Sequence, residues 1–446
     1  MTRLRSLAVL GLALLTGGNA LAGVASDAVR ADIGGIDVVI VRTDVKDVVT
    51  LVGTMRAGDD RSPADNVALA TMTGAMLDKG TTKQDKFAIA QQLGGVGASL
   101  SFSVDASTLR MSGKCLSRDF PLLAAILAEQ LREPAFPETE LVKLKKQLEG
   151  AMRAQLDDTD FRAADAFSRA IFPPGHPNRQ PTPDEFMAAV GKTSVSDVRG
   201  FHSQYYGPTG MRLVIVGDVD PASVQAELRR VFAGWSGGSI PPPAPLAPLL
   251  KSAGQETVFM PEKTSVSVIL GQPTQLRYSD PDSLALRVAT RIFGSGFTGR
   301  LMSSVRDKEG LTYGIYASVD NDIGSDGDWS IDATFSPALL EQGIASTKRQ
   351  LLLWRDKGVT GEELARSKSR TAGSYKVGLA TTSGLAGTIL LLLNAGMPLE
   401  FVDEYPQRVD ALTLEQVNGA ITKHIDPERM VLVEAGTVPG AATAAK

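Results

Sequence analysis

A proline-rich segment divides the chain and limits the folds that it can adopt. Residues 241–248 read PPPAPLAP, with five prolines in eight positions. Proline has no amide hydrogen to donate, so this segment cannot join a sheet or a helix, and such segments act as semi-rigid spacers. The sequence therefore predicts a two-domain chain, whose parts are a first domain at 27–235, a linker at 236–253, a second domain at 254–438 and a flexible tail at 439–446.

The two predicted domains resemble each other in sequence. Residues of the first recur at a constant offset in the second, and eight identities fall in 28 aligned positions, where average residue usage gives roughly two. The matched pairs are Val190/Val409, Val198/Val417, Gly200/Gly419, Pro208/Pro427, Met211/Met430, Leu213/Leu432, Val214/Val433 and Gly217/Gly436. A two-copy repeat is therefore predicted.

Each domain shows the same order of strand and helix patterns. Runs rich in β-branched residues predict strands at 38–42, 48–55, 98–104, 107–112, 211–216, 265–270 and 312–319. Apolar residues at helical spacing predict helices at 68–78, 121–132 with Asp119 as cap, from Pro137 onward, and near 284–293, 338–357 and 361–375. The predicted fold class is α+β, with two homologous half-domains, each a largely antiparallel sheet packed with helices.

Charge and cysteine content exclude several functions. The chain has 46 basic and 50 acidic side chains, a formal charge of −4, and no long basic run, which argues against nucleic acid as a partner. The single cysteine, Cys115, excludes an internal disulfide and a cysteine-based metal cluster. The three histidines, His176, His202 and His424, are far apart in the sequence, and we interpret each as structural.

The first 22 residues have the layout of a secretory signal peptide. Arg3 and Arg5 precede an apolar run at 7–15, and Ala20 and Ala22 place small residues at the positions that specify cleavage. The later apolar run at 389–393 is far shorter than the roughly 20 residues of a membrane helix, so no stable span is expected. We expect export to a bacterial periplasm with cleavage after about Ala22; an uncleaved anchor is the alternative.

Two glycine-containing motifs match known patterns in letters only. Residues 294–299 read GSGFTG, the dinucleotide-binding pattern, but a predicted helix precedes them instead of a strand. Residues 234–238 read GWSGG, a nucleophile-elbow pattern, but they run into the proline-rich linker. We interpret the lysines at 143, 145 and 146 as the solvated face of a helix. The sequence therefore predicts neither a nucleotide site nor a serine nucleophile.

The segment at 69–81, LATMTGAMLDKGT, resembles the zinc helix of the insulinase/pitrilysin metallopeptidase family. The family's inverted motif is His-x-x-Glu-His. Alignment on Met76 puts Thr71, Gly74 and Ala75 at the two ligand positions and the position of the base. These residue types can neither bind zinc nor activate water. The resemblance therefore implies a chain that has no metal and no cofactor of its own.

Other strings follow the family's order over about residues 30–438. Glu149 stands near the family's third ligand, and we interpret it as helix surface because one carboxylate alone makes a poor zinc site. The remaining landmarks are Phe172 ahead of Gly175-His176-Pro177, the string FHSQYY at 201–206 and the string VGDVD at 216–220. These strings indicate the fold and not catalysis.

The second half keeps an arginine and a tyrosine of the family. Residues 304–316 read SVRDKEGLTYGIY and place Arg306 and Tyr313 seven positions apart, as in family members whose pair faces the zinc across a closed chamber. A phenol can donate to the oxyanion at a scissile carbonyl, and a guanidinium can position the substrate backbone. The resemblance implies catalytic roles in trans for both; without it, a packed arginine and tyrosine is the simpler interpretation.

The lost ligands and the retained pair together imply one chain of a two-chain peptidase. Some family members place zinc and the pair on separate chains, which form a four-domain clamshell. The resemblance thus implies a zinc-bearing partner, peptide substrates and inactivity of this chain alone. Ser101 and Phe102 lie at 99–103, which resembles the family's edge strand and would hold an extended peptide. A scaffold or peptide-binding subunit without chemistry, and an autonomous peptidase with an unrecognised site, stay open as alternatives.

Overall fold

The computed structural model describes residues 23–441, so the predicted signal peptide at 1–22 and the residues 442–446 of the predicted tail lie outside the described residues. The described strands of the first half are β1 Val29–Ile33, β2 Ile36–Arg42, β3 Val48–Met55, β4 Ser99–Val104, β5 Leu109–Leu116 and β6 Arg212–Gly217. Those of the second half are β7 Gly254–Phe259, β8 Val266–Pro273, β9 Gly314–Asp320, β10 Asp328–Phe335 and β11 Val431–Gly436.

Helices cover both sheets. The first half contains α1 Val24–Asp27, α2 Leu69–Ala75, α3 Lys86–Gly95, α4 Phe120–Arg132, α5 Glu138–Gln155, α6 Thr159–Ile171, α7 Pro183–Lys192, α8 Val195–Tyr205 and α9 Pro221–Val231. The second half contains α10 Ser283–Gly294, α11 Leu340–Lys357, α12 Gly361–Leu379, α13 Thr382–Asn394, α14 Phe401–Ala411 and α15 Leu414–His424. The predicted α+β class is confirmed.

The two sheets share one topology. The strand order is β1-β2-β6-β3-β5-β4 in the first half and β7-β11-β8-β10-β9 in the second. In each sheet one neighbouring pair is parallel, β2 with β6 and β7 with β11, and the other pairs are antiparallel. Strands β6 and β11 occupy equivalent places and carry the repeat found in the sequence. The halves are thus two copies of one unit, the first with an added edge strand.

Most predicted elements lie within a few residues of their observed bounds, with two exceptions. The helix predicted at 68–78 ends at Ala75, because a 3-10 turn at Leu77–Lys79 and a left-handed Gly80, at φ +117°, follow it. Asp119 does not cap α4 with its side chain. Its backbone already belongs to the 3-10 turn Ser117–Asp119, at φ −98° and ψ 1°, and lacks the extended geometry of an N-cap residue.

Helix α6 of the first half packs on the sheet of the second. Ala163 and Phe167 contact a cluster that includes Ile269 on β8 and Val433 on β11. Gly271 on β8 makes room for this helix, because a Cβ there would lie 2.6 Å from Cζ of Phe167. The apolar face of the second sheet is therefore covered by a helix that precedes the linker.

Helix α13 of the second half makes the reciprocal contact with the first sheet. Ile389 and its neighbours pack against Val214 and Val216 on β6. Polar contacts add to this interface: the hydroxyls of Thr50 and Thr382 are 2.9 Å apart, and Oγ1 of Thr54 donates to Asn394 at 2.9 Å. A helix of each half thus packs on the sheet of the other half. This exchange of helices fixes how the halves are joined.

The linker is bound to the protein and does not act as a free spacer. Residues 240–250 form neither helix nor strand, but Ala247 is fully buried and its amide donates to Oδ2 of Asp326 at 2.9 Å. Oδ1 of the same carboxylate lies 3.0 Å from Nε2 of His176 of the first half. Asp326 therefore connects three segments, and the linker's relation to both halves is set by buried contacts.

A search of residues 23–441 for helices able to cross a membrane finds no single one. Helices α12 and α13 pass the length and composition test only when taken together, and they are bent by 111° at their junction.

Candidate functional site

The helix that resembles the zinc helix is present but differs from it in chemistry. Thr71, at the first ligand position, is half-buried on α2, and its hydroxyl donates to Oδ1 of Asp59 at 2.8 Å. Burial raises the pKa of Asp59 to about 6, although the hydrogen bond from Thr71 opposes this shift. A titratable carboxyl with a hydroxyl partner thus lies beside the position that a metal ligand would take.

The surroundings of α2 also do not fit the family's motif. A Cβ at Gly74 would lie 2.5 Å from Cγ2 of Val104 and 3.2 Å from Cδ1 of Leu109, so a glutamate would meet filled space. Ala75 packs against the first-half core. Glu149, expected on the helix surface, is half-buried on α5. Among residues 23–441 no cluster of three His, Cys, Asp or Glu side chains is suited to a metal ion, and these residues do not fit zinc.

The three histidines serve the fold, as the sequence predicts. His176 is stacked on Phe172, with 4.4 Å between ring centroids, and its side chain is 2 % exposed. His202 shares a hydrogen bond of 2.8 Å with the carbonyl of Leu131, and burial lowers its pKa. His424 lies 2.9 Å from Oδ2 of Asp282. Each imidazole is thus held by a partner that fixes local structure.

Arg306 and Tyr313 lie at the surface of the second half. Arg306 is half-buried on a π-helical segment, Met302–Lys308, and its guanidinium carbon lies 5.2 Å from the ring centroid of Phe297. π-Helical segments are rare and often occur at functional sites. Tyr313 directly precedes β9 and is 94 % exposed. Arg306 therefore lies on the π-helical segment and Tyr313 just before β9, and these two elements contact each other.

Neither side chain of the pair has a polar partner within residues 23–441. The nearby arginines differ in this respect, since Arg300 is paired with Glu363 at 2.5 Å and Arg349 with Glu309 at 2.9 Å. Arg306 contacts an aromatic ring instead, and that ring is itself 72 % exposed. The guanidinium of Arg306, the hydroxyl of Tyr313 and the ring of Phe297 are thus available to an external molecule.

The strand predicted to hold peptide is an edge strand. Among the strands of residues 23–441, β4 is the last of the first sheet and pairs only with β5. Ser101 is exposed and Phe102 half-buried, within a strict alternation of exposed and half-buried residues. An edge strand offers backbone donors and acceptors to an added strand. Its geometry suits an extended peptide; the roles of Ser101 and Phe102 stay predictions.

A cavity between the two halves was missed by the sequence reasoning. Its volume is about 820 Å³, and Thr71 of α2 and Tyr316 of β9 both line it, whereas Arg306 and Tyr313 do not. Several aspartates also line it, among them Asp328 and Asp332 on β10. A signal for this wall existed, because residues 328, 330 and 332 are all polar at a spacing that puts them on one face of a strand.

The fold and the candidate site together define a metallopeptidase-like chain that has no metal site among residues 23–441. Residues 192–371 match the sequence model described as "Peptidase M16 inactive domain". The chain is similar to the M16 peptidase family, the insulinase/pitrilysin family, and its residues 192–371 correspond to the domain of that family described as inactive. The resemblance found in the sequence is therefore confirmed.

Curated relatives of this chain carry both active and inactive names. An uncharacterised zinc protease of Streptomyces coelicolor is 24 % identical over 335 residues, which cover 74 % of this chain and 72 % of the relative. The non-peptidase homolog YmxG of Helicobacter pylori is 21 % identical over 383 residues, or 83 % of this chain and 85 % of the relative.

Solved structures show the same fold. The peptidase M16 inactive domain from Pseudomonas fluorescens superposes with a TM-score of 0.85 at 24 % identity, over 92 % of this chain and 98 % of that one. The periplasmic protease PqqL from Escherichia coli superposes with a TM-score of 0.76 at 14 % identity. That match covers 97 % of this chain and 49 % of PqqL, so this chain corresponds to about half of that protein.

Proposed function

We propose that this chain is the exported, zinc-free subunit of a two-chain M16 peptidase. It binds peptide substrate and supplies Arg306 and Tyr313 to a zinc-bearing partner subunit. The proposal is carried by Tyr313, which is 94 % exposed, and by Arg306, which lies against the exposed ring of Phe297. Within the described chain their functional groups have no polar partner, although neighbouring arginines do. A binding surface for a second molecule accounts for this arrangement.

The chemistry available at this surface suits peptide-bond hydrolysis. The hydroxyl of Tyr313, held at the start of β9, can donate a hydrogen bond to the oxyanion that develops on the scissile carbonyl. The guanidinium of Arg306 carries a permanent positive charge and can hold the peptide backbone by charge-assisted hydrogen bonds. Neither residue generates a nucleophile, so the proposal assigns water activation to the partner.

Edge strand β4 provides the means to hold the substrate. A peptide added beside Ser99–Val104 would gain backbone hydrogen bonds, and its side chains would alternate between the two faces of the sheet.

Export is proposed on the basis of the sequence at 1–22 alone. An intact-mass measurement on protein recovered from the periplasm tests it, and a mass beginning at residue 23 is expected.

Turnover of the reconstituted complex tests the assigned roles. The chain is combined with the zinc-bearing M16 chain that copurifies with it, and hydrolysis of a fluorogenic peptide is followed. Tyr313→Phe is expected to lower kcat about 100-fold or more, since loss of one oxyanion donor typically has this effect. Tyr205→Phe serves as the matched control, because its ring lies on α8 of the first half. Equal turnover of the two variants contradicts the proposal.

A scaffold without a role in chemistry is the second candidate. It is favoured by the "inactive domain" description of the matching model and by the name of the Helicobacter relative. The double variant Arg306→Ala, Tyr313→Phe separates the two. Full activity of the complex with the double variant supports the scaffold, and strongly reduced activity with unchanged assembly supports the catalytic surface.

A further inference from the structure

The cavity between the halves has the size and walls of a ligand site. Its volume of about 820 Å³ lies in the range of about 300–1,000 Å³ that is typical of such sites. Residues of both halves line it, and Phe161 and Phe167 of α6 and Phe186 of α7 contribute aromatic surface. Arg306 and Tyr313 do not line this cavity.

Four carboxyl groups on the cavity wall have no cationic partner among residues 23–441. Their polar contacts are with neutral groups of neighbouring residues. The four, with these partners, are Asp59 with Thr71, Asp320 with Ser318, Asp328 with Asn321, and Asp332 with Ser330. The two arginines on the wall each have another acidic neighbour, since Arg56 lies 3.9 Å from Asp60 and Arg110 pairs with Asp105. The cavity therefore has an excess of acidic groups.

Asp328 is the most buried of these groups and is only half satisfied. Its exposure is 6 %, and Nδ2 of Asn321 donates to Oδ1 at 2.7 Å, while no donor within the described chain reaches Oδ2. Asp320 lies directly opposite on β9, and like charges at facing positions of a sheet destabilise it. Burial raises the pKa of Asp328 to about 7 and that of Asp332 to about 6. A buried carboxyl group with an open acceptor, followed on the same strand by the half-buried Asp332, is suited to receive a cation.

We propose that this cavity binds a basic side chain, lysine or arginine, of a peptide. The inference rests on the proposed function, since it assumes that the chain binds peptides, and it adds the substrate class. The cationic group would lie between Asp328 and Asp332. It would supply the positive charge that these two carboxyl groups lack among residues 23–441. The methylene stem would lie against the phenylalanine rings, which also attract a cation over their faces.

Peptide binding by the full chain tests the inference. The probe is a fluorescein-labelled octapeptide of alanine and glycine with one central arginine, compared with the same peptide carrying citrulline, which is neutral and of similar shape. Fluorescence anisotropy at pH 8 is expected to show at least tenfold tighter binding of the arginine peptide. The double variant Asp328→Asn, Asp332→Asn is expected to remove this preference, whereas Asp410→Asn, on the exposed part of α14, is expected to keep it.

The outcomes separate the two proposals. If both peptides bind with equal affinity, the inference is overturned and the proposed peptide binding remains. If neither peptide binds, the peptide-holding role and the inference both fail. If the double variant does not fold, competition on the wild-type chain replaces it: arginine amide must displace the arginine peptide and citrulline amide must not. A preference for arginine that the double variant retains also overturns the assignment of the site.

Discussion

At the scale of single residues, the position aligned with the family's zinc motif differs from that motif in shape as well as in chemistry. Thr71 and Ala75 stand at the predicted ligand positions, and Val104 fills the space beside Gly74. The sequence predicts the first difference directly, because the residue types are visible in the aligned motif. The second could not be predicted, because Val104 is 30 positions away and reaches α2 only through the fold.

Gly74 is therefore expected to tolerate no side chain. Gly74→Ala places a Cβ 2.5 Å from Val104 and should lower the free energy of unfolding by about 1–3 kcal/mol, the usual effect of overpacking. Gly94→Ala is the control, since nothing lies within 4 Å of a Cβ at that helical glycine. Urea denaturation of both variants measures the effect, and equal stability of the two would show that Val104 yields without strain.

Asp328 is expected to make stability fall as the pH rises from about 4 to about 7. Its pKa is raised to about 7 in the folded chain, chiefly by burial, against about 3.9 unfolded, so the native state binds more protons in this window. Asp328→Asn should match the wild type near pH 4. Above pH 7 it should exceed it by more than about 1 kcal/mol, since one unit of pKa corresponds to about 1.4 kcal/mol.

Thermal melts of the wild type and Asp328→Asn across pH 4 to 8 measure this difference. Asp410→Asn, an exposed carboxyl, is the control and should leave the pH dependence unchanged. A constant difference between Asp328→Asn and the wild type at all pH values would contradict the assigned burial effect.

At the scale of elements, local sequence predicts where helices and strands lie but not what they pack against. Strand β3 matches its predicted bounds at 48–55 because the β-branched run and the turn after it are local signals. The local sequences of helices α6 and α13 do not indicate which sheet each helix packs against. Each has an apolar face, and the sheet that receives it belongs to the other half of the chain. Such pairing depends on contacts between residues far apart in sequence.

The exchanged helix α13 is expected to stabilise both halves together. Ile389 is fully buried against Val39, Val214 and Val216 of the first sheet, so Ile389→Ala should cost about 2–5 kcal/mol through the cavity that it leaves. Leu391→Ala on the same helix is the control, because Leu391 is 37 % exposed. Denaturation followed by tryptophan fluorescence and by circular dichroism should show one shifted transition. Separate transitions for the two halves would contradict the exchange.

At the scale of the whole molecule, the repeat and the linker predicted two α+β halves, and the fold confirms them. The sequence could not show that the linker is held by Asp326 or that the halves are interlocked, because both follow from tertiary contacts. The cavity and its aspartates were missed for the same reason. Asp59 and Asp328 are distant in sequence and line the same cavity only when both sheets have formed.

The zinc content of the purified chain and of its complex tests the central claim most directly. In the proposed complex the peptidase site is divided between two chains, with the metal wholly in the partner. After dialysis against metal-free buffer, elemental analysis should find less than about 0.1 zinc per molecule in this chain alone. It should find about one zinc per pair of chains in the active complex. One tightly bound zinc per molecule of the isolated chain would contradict the account.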